Sequence, residues 1–190
     1  MEKLTLVTKE HDGQWFGVLM SNQGGLLACS FSSSKKTLEK HLQAGARGTV
    51  GRGRTDESNI ALNEMINIYE GRKATNKVRL DWESVSSFQK DVCQMMQMIP
   101  KGRVTSYGLI AKRINSGPRA VGTAVARNPW PLFIPCHRVV PATLETGNYS
   151  IGGTLSEHGC EIKRELLERE RVPIEGDRIS SKAVWVPTGA

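Results

Sequence analysis

Between Val92 and Leu144 the chain has neither Asp nor Glu. The same stretch carries Lys101, Arg103, Lys112, Arg113, Arg119, Arg127 and Arg138. A solvated surface normally intersperses both signs, so this one-signed stretch points to a face that meets a polyanion through salt-sensitive phosphate contacts. From Glu157 to Glu170, by contrast, acid and base alternate as on an ordinary exposed helix. No run of about 18 apolar residues exists to span a bilayer. Nor does Met1-Glu2-Lys3-Leu4 open an apolar secretory signal. No membrane association is expected, and a cytoplasmic location is, or a nuclear one in a eukaryote. Cys29, Cys93, Cys136 and Cys160 include no CxxC pair and build no dense framework. They are expected as free thiols.

What is present suits one large domain or two small ones: 190 residues, 38% of them hydrophobic, with a net charge of +7. Residues 1–81 read as an α/β structural domain. Thr5–Thr8, Trp15–Met20 and Gly25–Phe31 have strand character, with turns at Gly13 and Gly24-Gly25. Ser34–Leu42 and Asn59–Tyr69 have helix character, the latter offering Ile60, Met65, Ile68 and Tyr69 for packing. Ala44 to Arg54, rich in Gly and Arg and without an apolar period, is expected as a mobile loop. Its arginines suit a solvated loop or a contact with nucleic acid.

Residues 82–175 read as a second, mainly helical domain, and 176–190 as a C-terminal tail; the fold class is α+β. Ser84, Ser86 and Ser87 offer N-caps to a helix with Phe88, Val92, Met95, Met96 and Ile99 on its apolar face. Pro100-Lys101-Gly102 stops it. Arg103–Thr105 is extended and Ser106 caps a helix over Tyr107–Ile114. Asn115-Ser116-Gly117 turns the chain, and Pro118 begins a helix that runs to about Arg127 and ends at Asn128-Pro129. Helix, short turn with Gly, helix is the helix-turn-helix pattern. The second helix, Arg119-Ala120-Val121-Gly122-Thr123-Ala124-Val125-Ala126-Arg127, lacks the side chains that read base edges along a groove. Its small residues permit close approach to a groove with little sequence reading, or equally close helix packing; its terminal arginines favour the groove.

The chemistry resides in Pro135-Cys136-His137-Arg138, which follows an apolar, proline-braced run. Positive neighbours lower a thiol pKa, and the thiolate is the effective nucleophile. A buried Cys in a strand is the other reading of the same residues. One Cys and one His do not make a zinc site.

Val104-Thr105-Ser106-Tyr107-Gly108, Arg119-Ala120-Val121-Gly122, Asn128-Pro129, Ile134-Pro135-Cys136-His137-Arg138-Val139-Val140, Gly147-Asn148-Tyr149-Ser150 and the Lys163–Glu170 segment occur in this order. Over roughly 82–172 the chain thereby resembles the O6-alkylguanine-DNA alkyltransferases, with a winged-helix-like C-terminal domain. The resemblance implies repair of DNA by direct reversal: one irreversible transfer of an alkyl group from O6-alkylguanine to Cys136, after the nucleotide is flipped out of the stack. It implies that His137 takes the thiol proton through a water and is held by Glu170, and that Asn128 ties the recognition helix to the active-site loop. It gives Arg119 the place of the flipped nucleotide, with Ala120, Gly122, Thr123 and Arg127 along the DNA face. Tyr107 would crowd the 3′ phosphate. The Cys136 and Val139 carbonyls would accept from the guanine amine, Tyr149 would donate to N3, and Ser150 would contact O6. The implied partner is double-stranded DNA containing O6-alkylguanine, read with little sequence specificity by a monomer without a cofactor.

Two departures from the family pattern stand out: a shorter turn between the paired helices, and a longer loop between Ser150 and the Lys163 helix. His11, Cys29 and His41 lack a matching zinc set, and no metal is expected. The alternatives are a non-catalytic lesion sensor, a helix-turn-helix regulator, and a cysteine hydrolase. A sensor would carry another residue in place of Cys136, a regulator needs base-reading side chains, and a hydrolase needs a directly paired His.

Overall fold

The computed structural model describes residues 3–75, 77–151, 154–155 and 158–187. The chain packs as two compact units, one formed by residues up to Val85 together with Pro129–Phe133, the other by Ser86–Asn128 together with residues from Ile134 onward.

In the first unit β1 (Lys3–His11), β2 (Gln14–Met20) and β3 (Leu26–Ser32) form an antiparallel meander. Asp12 and Gly13 both have positive φ, 49° and 76°, as a two-residue hairpin turn compatible with strand twist demands. α1 (Lys35–Ala44) follows, its N-cap Ser34 accepting from the Thr37 N–H. Then comes β4 (Thr49–Arg52), which pairs parallel to β1 and completes the order β3-β2-β1-β4. This corrects the expectation of a loop across 44–54: the strand is made by its ladder to β1, which a side-chain pattern of Gly and Arg does not announce. α2 (Asp56–Tyr69) starts earlier than expected, behind a capping box in which Thr55 and Ser58 exchange hydrogen bonds.

Alternation along β2 sends successive side chains to opposite faces. Leu19 joins Leu38 and Leu42 of α1 on one face, and Phe16 meets Tyr69 of α2 on the other, 5.1 Å between ring centroids. The unit is therefore a sheet between two helices. Ile60, offered for packing, is instead exposed. The Pro129–Phe133 segment belongs to this core: Trp130 is fully buried, its indole N–H donates to the Leu26 carbonyl, and its ring meets Trp82 edge-on.

The second unit begins with α3 (Ser87–Gln97), capped by Ser86. Val92, Met95 and Met96 are buried as the helical phase predicts, whereas Phe88 at the first turn is 37% exposed. β5 (Thr105–Ser106) leads into α4 (Tyr107–Arg113), where Ser106 is the N-cap. α5 (Pro118–Ala126) carries proline in its first turn. Between them Asn115 takes a positive φ of 53°. β6 (Val139–Val140) pairs parallel to β5. β7 (Ser150–Ile151) and β8 (Thr154–Leu155) form an antiparallel ladder from part of the longer loop; Gly152, Gly153, Ser156 and Glu157 of that loop lie outside the described residues. α6 (Gly159–Arg169) is followed by the paired strands β9 (Ile174–Glu175) and β10 (Arg178–Ile179). Residues expected as a tail thus contribute to the core: Ile179 and Ala183 pack with Val104, Val140, Leu167 and Val172. Among the described residues no helix is long and apolar enough to cross a membrane.

Candidate functional site

Cys136 begins a 3-10 turn, Cys136–Arg138, rather than lying in a strand. The thiol is 4% exposed and borders a cavity of about 30 Å³ lined by Tyr107, Gly122, Val125, Asn148, Tyr149 and Lys163 among others. That space suits a water or two. Burial pushes the Cys136 pKa up; hydrogen bonds from Asn128 and Tyr149 and the charge of Lys163 work in the opposite direction. The resting group is therefore a thiol, its Sγ–H directed at the Tyr149 hydroxyl, beside groups that would favour its anion.

Asn128 stands just beyond α5 and is buried. Its amide donates to the Ile134 carbonyl at 2.9 Å and hydrogen-bonds Cys136, fixing the acceptor loop to the end of that helix. The Tyr149 hydroxyl lies 3.6 Å from the Cys136 sulfur. Tyr149 is seated by Gly159, the first residue of α6: a Cβ there would stand 2.7 Å from the Tyr149 carbonyl oxygen and 2.8 Å from its nitrogen. Only glycine permits that approach without displacing the tyrosine backbone.

Beside the thiol is a buried charged cluster. His137 Nε2 lies 3.0 Å from a Glu170 oxygen, and Arg138 donates to both carboxylate oxygens, at 2.8 and 2.7 Å. Arg138 also donates to the Ile99 carbonyl at 2.6 Å. Burial alone would raise the Glu170 pKa, but the bonds from His137 and Arg138 outweigh it and hold the group at about 2. Burial lowers the His137 pKa despite Glu170, and the positive charges of Arg138 and Lys163 reinforce that direction. A neutral imidazole donating from Nε2 to the carboxylate leaves Nδ1 with its lone pair, and among the described residues Nδ1 has no hydrogen-bond partner. That is the electronic arrangement of a base. It also corrects the reading of Arg138 as a cation of the polyanion face, since its guanidinium is committed to Glu170.

Lys163 was not singled out from the sequence as a site residue. It is 1% exposed, donates to the Val139 carbonyl at 2.7 Å, and has its pKa lowered to about 8 by burial. The signal that locates it is helical phase: Gly159, Lys163, Leu166 and Leu167 are the buried residues of α6. Val139, expected to accept from guanine, has its carbonyl already engaged by this amine. Ser150 lines the cavity, and Tyr107 forms part of its wall against Gly122.

On α5 the inward positions are Val121, Ala124 and Val125, while Arg119, Ala120, Thr123 and Arg127 are exposed and Gly122 is partly so. Thr123 returns its hydroxyl to the Arg119 carbonyl. The outward face is thus small and smooth between two arginines. The other cysteines sit in different surroundings. Cys29 donates to the Pro131 carbonyl, burial raises Cys93 to about 11, and Cys160 is exposed beside Asn148. In the first unit His11, Asp12 and Glu70 cluster closely enough to consider a metal. Glu70 there already takes His11 at 2.7 Å and Arg72 at 2.6 Å, a self-satisfied arrangement that gives no reason to invoke an ion.

Residues 87–172 match the family described as 6-O-methylguanine DNA methyltransferase, DNA binding domain. A methylated-DNA–protein-cysteine methyltransferase of Thermococcus kodakarensis is 34% identical over 165 residues, covering 83% of this chain and 89% of that protein. The chain belongs to the methylated-DNA–protein-cysteine methyltransferase family. A member from Methanocaldococcus vulcanius is 47% identical over 94 residues, a match that spans about half of each protein, 49% of this chain and 53% of its relative. Among solved structures, the O6-methylguanine-DNA methyltransferase of Pyrococcus kodakaraensis superposes with a TM-score of 0.67 at 30% identity, covering 88% of this chain and 98% of that one. The Mycobacterium tuberculosis OGT structure in complex with DNA gives a TM-score of 0.68 at 26% identity, covering 89% and 92%. The family-matched segment contains Tyr107, Asn128, Cys136, His137, Lys163 and Glu170.

Proposed function

We propose that this protein repairs DNA by moving an alkyl group from O6-alkylguanine to its own Cys136, one molecule consumed per lesion. The observation that carries the reading is a buried thiol flanked by hydrogen-bond donors, next to a neutral His137 whose Nδ1 is unengaged and whose Nε2 is held by Glu170. His137, through a water, takes the thiol proton. The thiolate attacks the alkyl carbon in line, the carbon–O6 bond breaks, and its electron pair passes to the purine. Tyr149, through its hydroxyl, donates to the leaving base, with Ser150 toward O6, so that the purine does not depart as a bare anion. The product is a thioether, which water does not cleave, and the protein stays alkylated.

The rest of the second unit serves delivery. α4 and α5 act as a helix-turn-helix, with the smooth outward face of α5 in the groove and Arg119 in the gap left by the flipped nucleotide. Tyr107 crowds the adjacent phosphate, and Asn128 couples the helix to the acceptor loop. Binding is to double-stranded DNA with little sequence preference. The first unit, residues 1–81 in the sequence reading, is structural, and the second, 82–175, binds DNA and accepts the alkyl group.

Reaction with a duplex carrying O6-methylguanine, followed by peptide mass spectrometry, tests this. One methyl equivalent on Cys136 is expected and none after Cys136→Ala. Adducts on Cys29, Cys93 or Cys160, or many product molecules per protein, overturn the reading.

A further inference from the structure

From Lys35 to Arg54 the chain carries Lys35, Lys36, Lys40, Arg47, Arg52 and Arg54 against a single acid, Glu39. All six cations are exposed. The fold brings cations of two elements together: Glu39 lies 3.9 Å from Lys35 within α1 and 3.7 Å from Arg52 of β4, so a helix charge and an edge-strand charge flank one carboxylate. Glu39 is the only acid among them, and Arg52 still leaves 84% of its side chain in solvent. The next acids, Asp56 and Glu57, occupy the first turn of α2, where the helix dipole offsets them.

Three of the four glycines between these cations have no conformational reason to be there. Gly45, Gly51 and Gly53 do not have positive φ. A Cβ would meet nothing within 4 Å at Gly45, and only ordinary contacts at 3.7 Å and 3.8 Å at the other two. Glycine spared by both strain and crowding leaves the backbone uncovered, which suits close approach by a bulky partner. β4 is also an edge strand, with only β1 beside it. A charged edge blocks strand-to-strand aggregation, but that role needs no lysines on α1. A protein partner would call for an apolar anchor, and the exposed large hydrophobics, Ile60, Phe88, Met98 and Val186, all lie outside 35–54.

We infer that this surface of the first unit is a second DNA-binding site, which holds duplex phosphates through Lys35, Lys36, Lys40, Arg47, Arg52 and Arg54 independently of any lesion. The inference rests on the repair reading above, which supplies duplex DNA as the polyanion. Such contacts release counterions, so each one lost lowers the salt slope of the binding constant by about 0.9.

The test uses the full-length protein, a lesion-free fluorescent duplex, and anisotropy titrations over a range of salt. Arg47→Gln/Arg52→Gln/Arg54→Gln is expected to lower the slope by about 1 to 3 and to weaken low-salt binding at least several-fold. Its melting temperature and its reaction with free O6-benzylguanine should match the parent. Lys73→Gln/Lys77→Gln/Lys182→Gln removes the same charge from exposed positions elsewhere, and its slope should stay at the parent value. An unchanged slope in the arginine variant, or an equal fall in both variants, overturns the inference. So does a single-stranded RNA of the same length that displaces the duplex. A parent protein that fails to bind this lesion-free duplex also overturns the inference, whereas failure to take methyl onto Cys136 from a lesion-bearing duplex defeats the repair reading, a separate and distinguishable result.

Discussion

Replacing Glu170 by Gln removes one charge from a site where three hydrogen bonds converge on a carboxylate that is 4% exposed. The carboxyl sits at about 2 against an ordinary 4.5, a depression that corresponds to about 3 kcal/mol of stability at neutral pH. The variant also leaves Arg138, only 13% exposed, without its counter-charge, and breaking a buried pair in this way costs about 3–5 kcal/mol. The two figures describe the same interaction from its two sides and are not added. For a chain of this size about 3 kcal/mol lowers the melting temperature by roughly 6–12 °C.

The sign of the pH effect follows from the depressed carboxyl. Its stabilisation is complete above the unfolded value near 4.5 and is lost as pH falls through about 2. About three-fifths of the carboxyl's contribution to the difference between parent and Glu170→Gln should therefore be gone by pH 3. Urea unfolding of both proteins at pH 7 and pH 3 measures this directly. Transfer from free O6-benzylguanine should also slow by about ten-fold or more, because His137 loses the anion that orients it as a base. A stability loss below about 1 kcal/mol at pH 7, or a gap that is the same at pH 3, would refute the electrostatic argument. An unchanged transfer rate would remove His137 from the proton path.

Arg119→Ala should slow repair of duplex DNA far more than reaction with the free base, since flipping costs a few kcal/mol and a free base needs none; equal losses would move Arg119 from flipping to folding or chemistry. Gly159→Ala forces a Cβ to within 2.7 Å of the Tyr149 carbonyl, so it should cost about 1–3 kcal/mol and slow transfer by shifting the tyrosine hydroxyl away from Cys136. Melting and single-turnover rates check this, and parent-like values in both would show that the α6 end yields easily.

The mixed α+β character and the run of helices between Ser86 and Arg127 were legible because their signals are local. Ser86, Ser106 and Pro118 mark helix starts through their own backbone chemistry, and Val92, Met95 and Met96 recur at helical spacing. β4 was not legible, since Thr49–Arg52 is a strand by virtue of its partner β1, forty-odd positions away in sequence, a separation on the scale where pairing is decided by closure of the fold. Arg138 was misread because charge is visible in a sequence while its consumption by Glu170, 32 residues later, is not. Lys163 hid in a helix of mixed charge whose other cations, Arg164 and Arg169, are only partly buried. Its neighbours in phase, Gly159 and Leu167, were the available clue.

The passage of the acceptor loop through the first unit limits how this protein can be divided. Asn128 and Ile134 are tied together at 2.9 Å, like the neck of a noose, and the five residues between them pack in the first unit's core. Trp130, 0% exposed there, carries an indole of the kind that buries about 150–250 Å². A fragment cut at Ser86 would keep Cys136, His137, α4 and α5, yet would hold this tryptophan and Leu132 out in water a few residues from Cys136 in the chain. Recombination that exchanges N-terminal halves between relatives must accordingly preserve a receptor for that indole, or the incoming half brings a folded neighbour and a disordered nucleophile.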